Sequence, residues 1–203
     1  MVQIFESKGK TYKLIGTGFI VRKQGDLFLL TAAHVLPKDQ RKYFVYSQKV
    51  FHQLSGDLYY PEITASKEGV DIAKLFPDFC FIKLSEVFVE SALSEFIVFD
   101  ESLLGQGPYS TNGIFLIAGY LISKTKFVLK TRVLDSFLFC HELSPAKVHE
   151  LPYLVLPYLR KEGSKMPELN GLSCSPIFYV PPDSNAISII GVATHYSKRK
   201  RRI

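Results

Sequence analysis

Apolar positions along this chain come in short runs rich in aromatic and β-branched residues. Phe19-Ile20-Val21, Leu27-Phe28-Leu29-Leu30, Tyr43-Phe44-Val45-Tyr46, Phe79-Cys80-Phe81-Ile82, Ile114-Phe115-Leu116-Ile117, Phe127-Val128-Leu129 and Ile187-Ser188-Ile189-Ile190 are the main ones. Gly, Pro, Asn or Asp interrupts the pattern roughly every 8–12 residues, the texture of strands joined by turns. Gln24-Gly25-Asp26, between the first two runs, predicts a tight hairpin. Helical spacing is rare. Ser85 to Leu104 reads either as a helix, with Val87, Ala92, Leu93 and Phe96 loosely on one face, or as a linker. Pro145, Pro152 and Pro157 forbid a continuous helix after Cys140. The fold class is therefore all-β: antiparallel sheets closed into barrels or a sandwich, since open edges invite aggregation. A soft boundary near residue 100 divides the chain into halves of similar size, 1–100 and 101–203.

Composition narrows the class. At 47% hydrophobic and 13% aromatic, the 203-residue chain is too apolar for disorder, and no run reaches the roughly 18–20 apolar residues of a membrane span. The start, Met1 to Glu6, lacks a secretory layout. Cys80, Cys140 and Cys174 cannot all pair, and no CxxC knuckle is present. The expectation is a cytoplasmic, reduced protein without metal or cofactor. The net charge of +6 owes five charges to Lys198, Arg199, Lys200, Arg201 and Arg202. The body is thus nearly neutral, which argues against nucleic acid as the main partner; the tail reads as a solvated terminus or a short basic signal.

Three segments carry chemistry. Thr31-Ala32-Ala33-His34 ends the second strand; Asp78-Phe79-Cys80-Phe81-Ile82-Lys83-Leu84 opens another; and Gly171-Leu172-Ser173-Cys174-Ser175-Pro176 forms a turn. A serine hydroxyl is a poor nucleophile until a neutral imidazole takes its proton. That imidazole needs a carboxylate on its other nitrogen to fix tautomer and orientation, and the oxyanion that forms needs backbone N–H donors, which glycine exposes most easily.

These segments resemble the trypsin/chymotrypsin-like serine proteases, and among them the bacterial, non-zymogen branch. The family's T-A-A-H, its D-I-A-L-L-K-L run and its G-x-S-G turn correspond to the three segments, in the same order and spread over nearly the whole chain, from Gly16 to Tyr196. The resemblance implies two antiparallel Greek-key β-barrels packed together, the first (1–100) carrying His34 and Asp78 and the second (101–203) carrying Ser173 and the basic tail, with the active site at their interface. It also implies His34 as general base, Asp78 as its orienter, Ser173 as nucleophile, the N–H groups of Gly171 and Ser173 as oxyanion hole, and a substrate pocket near Glu168, Thr194, His195 and Tyr196. The implied function is a serine endopeptidase acting on a protein or peptide substrate.

Several readings compete. Asp71-Ile72-Ala73 also begins like the aspartate motif, but Lys74 falls at an apolar position and Pro77 ends the run, so Asp78 is preferred. Gly16-Thr17-Gly18 fails as a dinucleotide loop because Val21 stands where a third glycine is needed. Cys174 replaces the family's glycine after the nucleophile. It reads as a small packed hydrophobe, one residue out of register for a cysteine nucleophile. Glu168 and His195 pull pocket specificity in opposite directions, and Tyr196 predicts a shallow pocket. A catalytically silent protease-fold module, acting through a regulatory protein partner, is the alternative.

Overall fold

The computed structural model describes residues 1–9, 11–36, 43–60, 78–105, 109–110, 112–128, 133–136, 138–143 and 169–194. More than half of these are in strands, and the fold is all-β and overwhelmingly antiparallel. In the first half the strands are β1 (Val2–Lys8), β2 (Thr11–Lys23), β3 (Asp26–Thr31), β4 (Tyr43–Ser47), β5 (Val50–Gln53), β6 (Gly56–Tyr59), β7 (Cys80–Leu84) and β8 (Val98–Asp100). They form one sheet in the order β5-β4-β1-β2-β3-β7-β6, with β8 pairing parallel to β2.

β2 is the hinge of this sheet. Residues 11–18 pair with β1 and residues 19–23 with β3, so the strand turns a corner and is covered on both sides. Its stretch from Gly16 to Val21 is buried without interruption, where a half-exposed strand would alternate. The hairpin to β3 turns on Gln24 (φ 52°) and Gly25 (φ 89°), the left-handed pair that suits a two-residue turn between twisted strands.

The ends of the sheet, β5 and β6, are consecutive in the chain, separated only by Leu54 and Ser55. The Leu54 N–H donates to Tyr43 O (2.8 Å) and the Ser85 N–H to Ser55 O (3.2 Å). Those bonds tie both edges to one short connection and curl the sheet into a half-barrel around Val2, Ile4, Ile20, Leu29 and Ile82.

Ser85 to Leu104 resolves into several elements. Ser85 caps α1 (Glu86–Ala92), its Oγ accepting the Phe88 N–H at 3.3 Å. The buried face is Phe88 and Ala92, four residues apart, while Val87 points outward at 74% exposure, correcting the expected face. A 3₁₀ turn (Leu93–Glu95) then leads into β8, a strand where a continuous helix would need none. Pairing with β2 outweighs the loose helical spacing.

The second half contributes β9 (Ile114–Tyr120), β10 (Lys126–Val128), β11 (Val133–Asp135), β12 (Leu138–Leu143), β13 (Pro176–Val180) and β14 (Ser188–Val192). β10 and β11 pair with each other, and the rest form a sheet in the order β12-β9-β13-β14. Its core is Phe115, Ile117, Leu121, Leu143, Leu172 and Tyr179. Phe19, Val21 and Ile189 join the two sheets, reinforced by the Phe99 and Phe178 rings 5.9 Å apart. Among the described residues no helix is long and apolar enough to cross a membrane. The proline-rich segment after Cys140 lies outside the described residues beyond Leu143, as does the basic tail.

Candidate active site

Antiparallel register delivers the first two candidates to each other. β3 and β7 pair Thr31 with Cys80, so the residues after Thr31 run opposite those before Cys80. The Ala33 N–H donates to Asp78 O (3.3 Å) and the His34 N–H to Asp78 Oδ1 (3.0 Å). Asp78 Oδ2 stands 2.5 Å from His34 Nδ1. An ionised carboxylate only accepts hydrogen bonds, so with a neutral ring Nδ1 is the donor and Nε2 holds a lone pair. One carboxylate thus grips both backbone and ring of His34. The Asp78 side chain is 17% exposed and the imidazole 50%, so the pair is anchored inward and open outward. Asp71, its rival, lies outside the described residues.

Ser173 sits on the turn that precedes β13. Its carbonyls are nearly all engaged: Asn170 O accepts the Ile122 N–H (2.8 Å), Gly171 O the Thr17 hydroxyl (2.8 Å), Leu172 O the Ser175 N–H (2.8 Å) and Ser173 O the Thr17 N–H (3.1 Å). The N–H groups of Leu172, Cys174 and Ser175 are also committed, to Leu169, Ala193 and Leu172 carbonyls. Those of Gly171 and Ser173 make no hydrogen bond among the described residues. In a trans peptide the N–H points opposite to the preceding C=O. Holding Asn170 O and Leu172 O therefore turns the Gly171 and Ser173 N–H groups away from those partners. Gly171 accomplishes this at φ +101°, a left-handed conformation that side chains resist.

Cys174 follows at φ +62°, costing about 1 kcal/mol relative to glycine there. Its side chain is fully buried in the first sheet's core with Ala32, Val35 and Cys80. Burial, then the nearby Cys80 and Asp78 charges, push its thiol well above the usual range, against a lowering effect of the Thr31 hydroxyl. Burial and Asp78 likewise push Cys80 up to about 12. A thiol held protonated is no nucleophile. Packing Cys174 near the ends of β3 and β7, from which the chain continues to His34 and Asp78, lodges the Ser173 turn beside them. No hydrogen bond joins Ser173 Oγ to His34 Nε2.

These thiols make an expectation of their own. Iodoacetamide at neutral pH should modify exposed Cys140 in the native protein and spare Cys80 and Cys174, with all three reacting after unfolding; mass spectrometry of the peptides checks this. A raised folded pKa also means that stability is complete below about pH 9, where unfolded thiols stay protonated, and declines as pH rises toward about 12.

Of the expected pocket residues, Thr194 is described and half-buried, just after Ala193, whose backbone bonds Cys174 and Ser175. Glu168, His195 and Tyr196 lie outside the described residues. Among the described residues no three His, Cys, Asp or Glu side chains gather as a metal site. The residue that sequence reasoning passed over is Thr17, weighed only within a nucleotide loop. It is fully buried, and its one available signal was a hydroxyl amid an unbroken apolar run. No protein-family model matches the chain, and a search of curated proteins finds no significant match.

Proposed function

We propose that this protein is a serine-type endopeptidase of the trypsin/chymotrypsin-like kind, its two halves being Greek-key barrels that share one active site. The observation that carries the reading is the double grip of Asp78 on His34, beside a serine turn whose Gly171 and Ser173 N–H groups are uncommitted among the described residues. Ser173 Oγ attacks the scissile carbonyl of a protein or peptide and passes its proton to His34 Nε2. Asp78 keeps the Nδ1 proton in place and stabilises the imidazolium. The tetrahedral oxyanion is held by the Gly171 and Ser173 N–H groups. Collapse breaks the C–N bond, and His34 returns the proton to the leaving amine. Water, deprotonated by His34, then hydrolyses the acyl-enzyme and restores Ser173. In this reading the substrate pocket falls to Glu168, Thr194, His195 and Tyr196, of which only Thr194 is among the described residues. Three free cysteines suit a reducing compartment, and with them a cytoplasmic location.

One observation favours a second reading, a silent module that works through a protein partner: Ser173 Oγ is not hydrogen-bonded to His34. Fluorophosphonate labelling separates the two. Labelling of the wild type that Ser173→Ala abolishes and Cys174→Gly leaves intact is the expected result. Labelling that appears only in Cys174→Gly would sink the enzyme in favour of the module.

A further inference from the structure

We propose that Thr17 is the positioning residue of the oxyanion-binding turn; the inference rests on the proteolytic reading above. One buried residue makes four hydrogen bonds that converge on the site. Its hydroxyl donates to Gly171 O (2.8 Å) and accepts the Tyr120 N–H at the end of β9 (3.1 Å). Its N–H donates to Ser173 O (3.1 Å). Its carbonyl accepts the hydroxyl of Thr31 (3.0 Å), three residues before His34 on the same chain.

The backbone bonds could be made by any residue in this strand. The two hydroxyl bonds could not, and they act where the site is most sensitive. The Gly171–Leu172 peptide lies between the two peptides whose N–H groups have no partner among the described residues. Its neighbours are held by Ile122 and Ser175; the carbonyl of the middle one is held by the Thr17 hydroxyl. Without that bond only the Leu172 N–H to Leu169 O contact (3.1 Å) restrains the middle peptide, and the Gly171 and Ser173 donors are held less firmly in a common direction. Because Thr17 also receives Thr31, the turn is referenced to the strand that delivers His34. Thr17 touches no substrate atom and acts only through the turn.

Thr17→Val keeps the shape and deletes both hydroxyl bonds, whereas Thr17→Ser keeps the bonds and loses a methyl group. With a cleavable peptide substrate, Thr17→Val should lower kcat by about 10- to 100-fold with KM little changed, less than the loss of an oxyanion donor itself. Thr17→Ser should restore kcat to within about 3-fold of wild type. Thr17→Ala is measured in parallel, all rates being normalised to the folded fraction by circular dichroism. A normal kcat in folded Thr17→Val, or a loss that serine does not rescue, overturns the inference and leaves the protease reading standing. Failure of both Val and Ala proteins to fold overturns it too, making Thr17 a residue of the fold alone. An inactive, unlabelled wild type overturns the protease reading. Amide hydrogen exchange then decides the turn itself: faster exchange at residues 169–175 in Thr17→Val than in Thr17→Ser supports the hold on the turn, and equal exchange overturns it.

Discussion

Asp78→Asn should lower turnover by about 10³- to 10⁴-fold while the protein remains folded. Asp78 accepts from His34 twice, through Oδ1 from the backbone N–H and through Oδ2 from Nδ1. An amide has one oxygen for these two donors. With that oxygen on the backbone N–H, the side-chain NH₂ faces Nδ1, which must then become the acceptor. The proton moves to Nε2, and the ring can no longer take one from Ser173. The opposite flip leaves the NH₂ against the His34 N–H and releases the loop. Active-site titration with a fluorophosphonate, beside circular dichroism, measures the effect. A variant labelled at the wild-type rate would mean that Asp78 holds His34 for structural reasons only.

Gly171→Ala should be costly twice over. At φ +101° an L side chain is strained, and a Cβ there would stand 2.6 Å from Tyr120 O and 2.8 Å from Ile122 N. Both obstacles are backbone, so no rotamer change relieves them. The segment from Tyr120 to Ile122 must move away from the turn, breaking the bond from Ile122 N–H to Asn170 O and straining the one from Tyr120 N–H to Thr17. The expected loss is about 2–4 kcal/mol of stability, a fall in Tm of roughly 5–15 °C for a chain of this size. Surviving folded protein should react at least about 100-fold more slowly, because the Gly171 N–H is displaced. Thermal melts and labelling rates check the two effects separately. Wild-type values for both would show that the turn adopts another conformation in solution.

Much of this site is legible from local pattern. Asp78 leads an uninterrupted apolar strand, and that strand's antiparallel register with β3 places it opposite Ala33 and His34. The Gln24-Gly25 turn followed from the residues that tolerate positive φ. By contrast, Val87 shares a loose helical spacing with Ala92, Leu93 and Phe96 yet stands in solvent, because a seven-residue helix is too short for its own spacing to define a face. Phe88 is drawn in by the half-barrel beneath it. Cys174 was legible as a small buried hydrophobe. Which core it enters was not, since its neighbours Ala32, Val35 and Cys80 lie far away in sequence.

Taken alone, the chain's short apolar runs and punctuation determine an all-β fold and the runs that become β2, β3, β4, β7, β9, β10 and β14, since each depends on side chains close in sequence. The tertiary structure decided which groups are already committed and which remain free. Thr17 lies in an unbroken buried run that has no period to read, and its hydroxyl acquires meaning only when Gly171 and Tyr120 arrive from the other half of the chain. The Gly171 and Ser173 N–H groups, uncommitted among the described residues, have the same origin: a hydrogen bond left unmade shows only once the carbonyls around the turn have found their partners.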